Sequence, residues 1–149
     1  MAKFQTKFQS AEMSPGFLLW KVSNLHQRLQ RKALLDLDLT PSQFSILACF
    51  FFLSDKQPIV TQADVCRHSG IDKMLISDIT KVLLKKRLMK KVVNGNDGRS
   101  YAIQITEEGA SRCNLALKII EELDVKFFQR SENSNDFLKT LAELAAQGY

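Results

Sequence analysis

The side chains that suggest a chemical function are basic, and they are concentrated in one segment of the chain. Residues 61–100 contain nine basic side chains and four acidic ones, which gives this segment a formal charge of +5. The other residues carry twelve of each sign, so the segment accounts for the whole formal net charge of +5. Because local positive charge attracts polyanions, a nucleic acid that binds this protein is expected to lie against this segment.

One face of a helix predicted after residue 72 combines side chains that suit contact with base pairs: Lys73, Met74, Ser77, Asp78 and Lys81. The opposite face is apolar and is expected to join the core through Ile76, Ile79 and Leu83. The first half of a recognition helix enters the major groove, where Lys73 and Ser77 would reach base edges or phosphates. Met74 or Leu75 would contact thymine methyl groups, although a core position is favoured for Leu75. The alternative is a solvated helix face with no partner.

A second candidate contact lies in the Gly/Asn/Asp-rich segment around residues 94–99. Arg99 suits insertion into the minor groove, whose narrow A·T-rich stretches concentrate negative potential. Asp97 would accept a hydrogen bond from the Arg99 guanidinium and orient it. The alternative is an exposed ion pair with little effect on stability. Nearby lysines are equally consistent with phosphate contacts and with solubilising charge: Lys85, Lys86, Lys90 and Lys91.

Helix-start signals and hydrophobic spacing predict the longer helices that must position these side chains. Ser14-Pro15 and Thr40-Pro41 each combine a capping side chain with proline at the first helical position, and they predict helices over about 15–37 and 41–54. Thr106, followed by two glutamates, starts a helix that extends to about residue 130. A polar break over 131–136 precedes a final helix.

The basic segment itself is predicted to form two short helices and a hairpin. Residues 61–64 are a near capping box that opens the first helix, and Gly70 ends it. Asp72 caps the second helix, which extends to about residue 87, so the pair forms a helix-turn-helix. The runs 88–93 and 100–105 flank a turn-forming tip and predict a β-hairpin. A hairpin directly after a helix-turn-helix is the layout of a wing.

Four short motifs, taken in their order and spacing, resemble the MarR family of bacterial transcription regulators. They are Leu39–Phe44 (LTPSQF), Thr61–Asp64 (TQAD), Asp97–Arg99 (DGR) and Ile105–Gly109 (ITEEG), within a match over roughly residues 15–147. The resemblance implies a dimer whose terminal helices pair across a two-fold axis. It also implies two winged lobes on a pseudo-palindromic operator and, often, a small aromatic or phenolic effector.

The sequence departs from the pattern of this family at two positions near the expected interface. Arg87 stands where the family usually has glycine, and Asp78 stands where it often has a basic residue. The operator sequence therefore cannot be inherited from relatives. The first helix also lacks the N-terminal cysteine of the peroxide-sensing branch, so organic peroxide sensing is not expected.

The predicted fold is mainly α with a small β-hairpin wing (α+β). Its length of 149 residues and 45% hydrophobic content indicate one domain over 1–149. Within it, 39–105 would be the winged helix-turn-helix lobe that binds DNA, and 15–38 with 106–147 the dimerisation helices. The predicted function is a sequence-specific transcription regulator that binds its operator as a homodimer. The alternative is a winged-helix module for protein assembly that binds no DNA.

The aromatic side chains of the first two helices are candidates for lining an effector pocket, although ordinary core packing is favoured for them: Phe17, Trp20, His26, Phe44 and Phe50. Three separated cysteines form no metal-binding or disulfide pattern, so structural thiols are favoured over a redox sensor: Cys49, Cys66 and Cys113. Cys49 lies in an apolar run, where burial would raise its pKa and leave it inert.

Other functional classes find little support in the sequence. No cluster of His, Asp, Glu or Cys has metal-ligand spacing, and no catalytic triad, phosphate-binding loop or carboxylate pair stands out, so neither an enzyme nor a cofactor is predicted. The N-terminus has no signal-peptide pattern, and no run of 18 apolar residues occurs. A cytoplasmic protein without a membrane partner is expected.

Overall fold

The computed structural model describes residues 3–93 and 101–146, which form six α-helices and one hairpin. The helices are α1 (Pro15–Ala33), α2 (Pro41–Ser54), α3 (Gln62–Ser69), α4 (Lys73–Lys85), α5 (Glu107–Phe128) and α6 (Ser134–Ala146). Strands β1 (Met89–Val93) and β2 (Tyr101–Ile105) pair antiparallel, with Met89 opposite Ile105. The predicted fold class, mainly α with a hairpin wing, is confirmed.

Side-chain caps fix the helix starts where the sequence predicts them. Ser14 caps α1, and Thr61 and Asp64 form a complete capping box in which Asp64 Oδ2 accepts from the Thr61 backbone N–H at 2.8 Å. At the start of α5, Thr106 Oγ1 accepts from the Gly109 N–H at 3.0 Å. Each cap satisfies a backbone donor that has no partner inside its helix, so the local sequence sets the first residue.

The boundaries of the first and the last helix differ from the prediction. The first helix was expected to extend to about residue 37 but ends at Ala33, and a 3-10 turn over Leu35–Leu37 leads to Asp38 with φ of 50°. The final helix begins at Ser134, inside the predicted polar break, because small polar residues and Asp136 suit a first helical turn.

The core lies between α2, α4, α5 and the hairpin. Its fully buried side chains come from elements distant in sequence and include Leu34, Leu47, Phe50, Val65, Ile76, Leu83 and Leu88. Helix α2 contributes most, as expected for a helix that is apolar on every side. This packing holds one face of α4 against the lobe and leaves the opposite face exposed to solvent.

The end of α4 is a Schellman turn with arginine in the left-handed position. The helix stops at Lys85, two residues earlier than predicted, because Arg87 has φ of 59°. The Arg87 N–H donates to the Leu84 carbonyl at 3.0 Å, and the Leu88 N–H donates to the Leu83 carbonyl at 3.1 Å. Glycine adopts this backbone conformation without the steric cost that a Cβ atom adds, so Arg87 introduces strain at this turn.

We therefore expect Arg87→Gly to stabilise the protein by about 1 kcal/mol, since relief of left-handed strain exceeds the added entropy of the unfolded chain. Urea denaturation would measure the change. Lys85→Gly is the matched control, because residue 85 is helical and glycine there should lower stability instead. Equal destabilisation by both substitutions would contradict the strain at residue 87.

Candidate nucleic-acid interface

Helix α4 is held with one face in the core and its N-terminus capped. Asp72 Oδ1 accepts from the backbone N–H groups of Met74 at 2.8 Å and Leu75 at 3.3 Å. The predicted core face is confirmed, since its three members are buried: Ile76, Ile79 and Leu83. The opposite face of α4 therefore points away from the lobe with a fixed orientation.

The side chains predicted to contact DNA lie together on this outward face. Met74 is 73% exposed, and the side chains of Lys81 and Asp78 are 71% and 63% exposed. Lys73 is also exposed, whereas Ser77 is half-buried at the edge of the face. The structure thus brings all five predicted residues of this helix onto one surface.

The favoured core position for Leu75 is wrong. Leu75 is 48% exposed. Successive residues of an α-helix are rotated by about 100°, so Leu75 lies beside the buried stripe that contains Ile76 and outside its centre. Its apolar side chain is therefore available next to Met74, on the side of α4 that faces solvent.

Charge on the outward face of α4 is partly paired. Lys81 Nζ donates to Asp78 Oδ1 at 2.9 Å, one turn apart on the helix. Both groups are largely exposed, so water screens the pair and it contributes little to stability. The pair places a carboxylate and an ammonium group next to each other on the surface.

Lys86 does not fit either alternative proposed for the lysines. Its side chain is mostly covered, and Nζ lies 2.9 Å from Asp38 Oδ2 and 3.3 Å from Gln43 Oε1. Lys86 therefore connects the end of α4 to the turn before α2. In contrast, Lys85, Lys90 and Lys91 are exposed.

The wing hairpin is anchored at its base to the rest of the lobe. The Ile103 N–H donates to the Val60 carbonyl at 2.8 Å, and the Thr106 N–H donates to the Leu88 carbonyl at 3.1 Å. Thr106 Oγ1 also donates to the Arg87 carbonyl at 2.8 Å. These bonds fix the strands relative to α4. The predicted contacts Asp97 and Arg99 lie outside the described residues.

The residues predicted to line an effector pocket have different surroundings. Phe44 and Phe50 are buried in the lobe core, as the core alternative expected. Phe17 and Trp20 lie 5.9 Å apart, measured between ring centroids, and both are exposed on α1, so core packing is wrong for them within one chain.

His26 joins helices α1 and α5. Its Nε2 donates to Asp124 Oδ1 at 2.7 Å, and its ring centroid lies 5.1 Å from that of Phe127 and 5.8 Å from that of Phe128. These contacts occupy both the polar and the apolar side of the imidazole. His26 therefore fixes the packing of the terminal helices.

The thiols have the environment of structural cysteines. All three are free; Cys113 is buried, and Cys49 and Cys66 are half-buried. Burial raises the pKa of Cys49, as predicted. Burial, and secondarily the nearby Cys49 thiol, raise the pKa of Cys113 to about 11. Since the thiolate is the reactive form, both groups are poor nucleophiles at neutral pH.

Sequence reasoning missed a cavity of about 400 Å³ between α2, α3 and α5. Phe52 and His68 stack at one side of it, with ring centroids 5.2 Å apart, and Cys113 and Leu117 line another side. Because these residues come from three helices, no spacing along the chain reveals the cavity.

Across residues 3–93 and 101–146, no group of three or more His, Cys, Asp or Glu side chains is placed to hold a metal ion. No helix among these residues has the length and apolarity to span a membrane.

A helix-turn-helix followed by an anchored hairpin, with an exposed cationic helix face, defines a winged helix-turn-helix protein. No protein-family model matches the chain. The chain is 33% identical over 142 residues to YdcH of Bacillus subtilis (strain 168), an uncharacterized HTH-type transcriptional regulator, and the match covers 95% of this chain and 97% of that protein. The chain belongs to the HTH-type transcriptional regulators, and its fold is that of the MarR family, which its motifs resemble.

Solved structures of this family share the fold. The S. aureus MepR–DNA complex has a TM-score of 0.77 at 20% identity and covers 92% of this chain and 98% of that one. CouR from Rhodococcus jostii RHA1, bound to p-coumaroyl-CoA, has a TM-score of 0.77 at 24% identity and covers 95% and 99%. At these identities the likeness supports the winged architecture, and site residues do not transfer from it.

Proposed function

We propose that the protein is a transcription regulator that binds a pseudo-palindromic DNA operator as a homodimer. The observation that carries this proposal is the outward face of α4, which is exposed, oriented and located in the segment that holds the whole formal net charge of +5. MepR, of the same fold, has been solved with DNA. These findings favour a DNA-binding regulator over a module for protein assembly. Such a regulator would act in the cytoplasm, where operator DNA is reached.

In this proposal α4 enters the major groove and the wing lies over the adjacent minor groove. Base edges would be contacted by Lys73 and Met74 and, one turn later, by Ser77 and Asp78. Lys90 and Lys91 on β1 would contact phosphates. Insertion of Arg99 into the minor groove, with Asp97 as its orienting partner, remains a prediction from the sequence. The lobe over 39–105 would thus carry the DNA contacts.

The terminal helices, 15–38 and 106–147, would form the dimer. Helix α6 buries no residue within one chain, and apolar side chains of α1 and α6 are exposed: Leu18, Leu19, Trp20, Leu138 and Leu144. An apolar surface of this kind is covered in a stable protein, and a second copy covers it symmetrically. Two lobes would then be available for the two half-sites of an operator.

A small aromatic effector, if one binds, would fit the cavity between α2, α3 and α5 better than the predicted aromatic set. Its volume of about 400 Å³ lies in the range of small-molecule sites, and apolar side chains of α2 and α5 line it, among them Ala48, Phe51 and Leu117. Occupation of this cavity would change the position of α3 relative to α5. The distance between the two recognition helices of a dimer would change with it.

The test of the proposed function is the salt dependence of binding to random duplex DNA. A dimer that makes about six phosphate contacts should lose affinity with a log–log slope near −5 as salt rises, because bound counterions are released. Fluorescence anisotropy between low and physiological salt would measure the slope. A flat response would contradict DNA binding and favour protein assembly.

Substitution of single lysines should separate base contacts from phosphate contacts. Lys73→Ala is expected to weaken operator binding more than random binding, because residue 73 lies at the N-terminus of α4. Lys90→Ala on β1 should weaken both about equally. Competition between operator and random duplex would measure the ratio. Equal loss of discrimination in both variants would refute this assignment.

A further inference from the structure

Asp78 occupies the centre of the surface that the proposed function places against DNA. Residues 74, 78, 81 and 85 are spaced by four, three and four positions, so they form one stripe along α4. The stripe lies opposite the buried face of the helix. Asp78 is the acidic member, its side chain is 63% exposed, and Lys81 is its cationic partner.

A carboxylate at this position opposes binding unless it meets a hydrogen-bond donor. The phosphates of DNA are anionic and repel it, and Lys81 offsets only one charge. Within the major groove the base donors are the N4 amine of cytosine and the N6 amine of adenine. Adenine presents the N7 acceptor next to its amine, and this lone pair repels the second carboxylate oxygen. Cytosine has only a C–H group on that side of its amine. The acceptor on the other side is O6 of the paired guanine, and its counterpart in an A·T pair is O4 of thymine.

We propose that Asp78 selects a C·G base pair in each half-site by accepting a hydrogen bond from the cytosine N4 amine. The inference rests on the proposed function, since it requires α4 to lie in the major groove. Lys81, the ion-pair partner of Asp78, offsets part of the repulsion between this carboxylate and the phosphates. Met74, one turn earlier on the same stripe, supplies an apolar neighbour for a thymine methyl group.

Selection of binding sequences from a random DNA pool tests the proposal. The parent protein should select an invariant C·G pair in each half-site, and Asp78→Ala should lose the preference at that pair alone. Asp78→Asn should change the preference to A·T, because an amide side chain pairs with both N6 and N7 of adenine. Glu12→Gln removes one negative charge from an exposed residue that precedes α1, outside both the lobe and the terminal helices, and should select the parent sequence.

A base analogue provides the second measurement. Replacing the selected cytosine of one half-site by 2-pyrimidinone, which lacks the N4 amine, should weaken parent binding by roughly tenfold. Asp78→Ala should bind both duplexes equally. The role of Asp78 would be overturned if the parent bound random duplex with a steep salt dependence but showed no C·G preference. It would also be overturned if that preference persisted after Asp78→Ala. Neither result would contradict the proposed function. Loss of salt-dependent binding altogether would overturn the proposed function instead.

Discussion

Gly109→Ala is expected to destabilise the protein by at least about 3 kcal/mol and to leave much of it unfolded during expression. A Cβ atom at residue 109 would lie 1.9 Å from the Leu88 carbonyl oxygen and 3.2 Å from Ile105 Cγ2. The Leu88 carbonyl also accepts from the Thr106 N–H at 3.1 Å, so it cannot move without releasing the base of the wing. Thermal unfolding followed by circular dichroism would measure the loss.

Gly16→Ala is the matched control for this substitution. Gly16 is in the first turn of α1, and outside its neighbours and the backbone of that helix no atom of the described residues lies within 4 Å of a Cβ placed there. Alanine there should leave stability unchanged or raise it by about 0.5 kcal/mol, because it restricts the unfolded chain. If Gly109→Ala unfolded at the same temperature as Gly16→Ala, the close approach of α5 to Leu88 would not be what requires glycine.

The elements that the sequence predicts well are those set by local interactions. Thr61 and Asp64 lie three residues apart, so the capping box they form can be recognised without the fold. The same holds for the spacing of Ile76, Ile79 and Leu83, which identifies the outward face of α4 as the opposite side. This is why the outward face of α4 could be predicted from one sequence, with Leu75 as the exception.

Features that depend on distant residues could not be predicted in this way. Lys86 and Asp38 are 48 positions apart, and only the packed lobe shows that this lysine is used internally. The predicted effector pocket combined Phe44 with Trp20 because both are aromatic, but one lies in the core and the other on the exposed side of α1. Helical periodicity gives the direction of a side chain on its helix, and it does not give the neighbouring element.

Leu138→Asp is expected to convert a dimer into a folded monomer and to lower operator affinity by roughly 10²- to 10⁴-fold. Leu138 is 67% exposed on α6, so an aspartate is solvated in the single chain and folding is retained. In a dimer the same carboxylate would be buried against the partner without a counter-charge. A monomer presents one recognition helix at a time and loses the gain from simultaneous binding of both half-sites.

Light scattering at micromolar concentration and operator binding by the same samples would measure both effects. Lys139→Asp introduces an aspartate at the next position of α6, which is exposed and already polar, and should remain a dimer with a smaller loss of affinity. The unfolding temperature of the monomeric variant should not depend on protein concentration, whereas that of the dimeric parent should rise with it. A parent protein that is monomeric, or a Leu138→Asp variant that remains dimeric with unchanged operator affinity, would show that α6 does not form the interface.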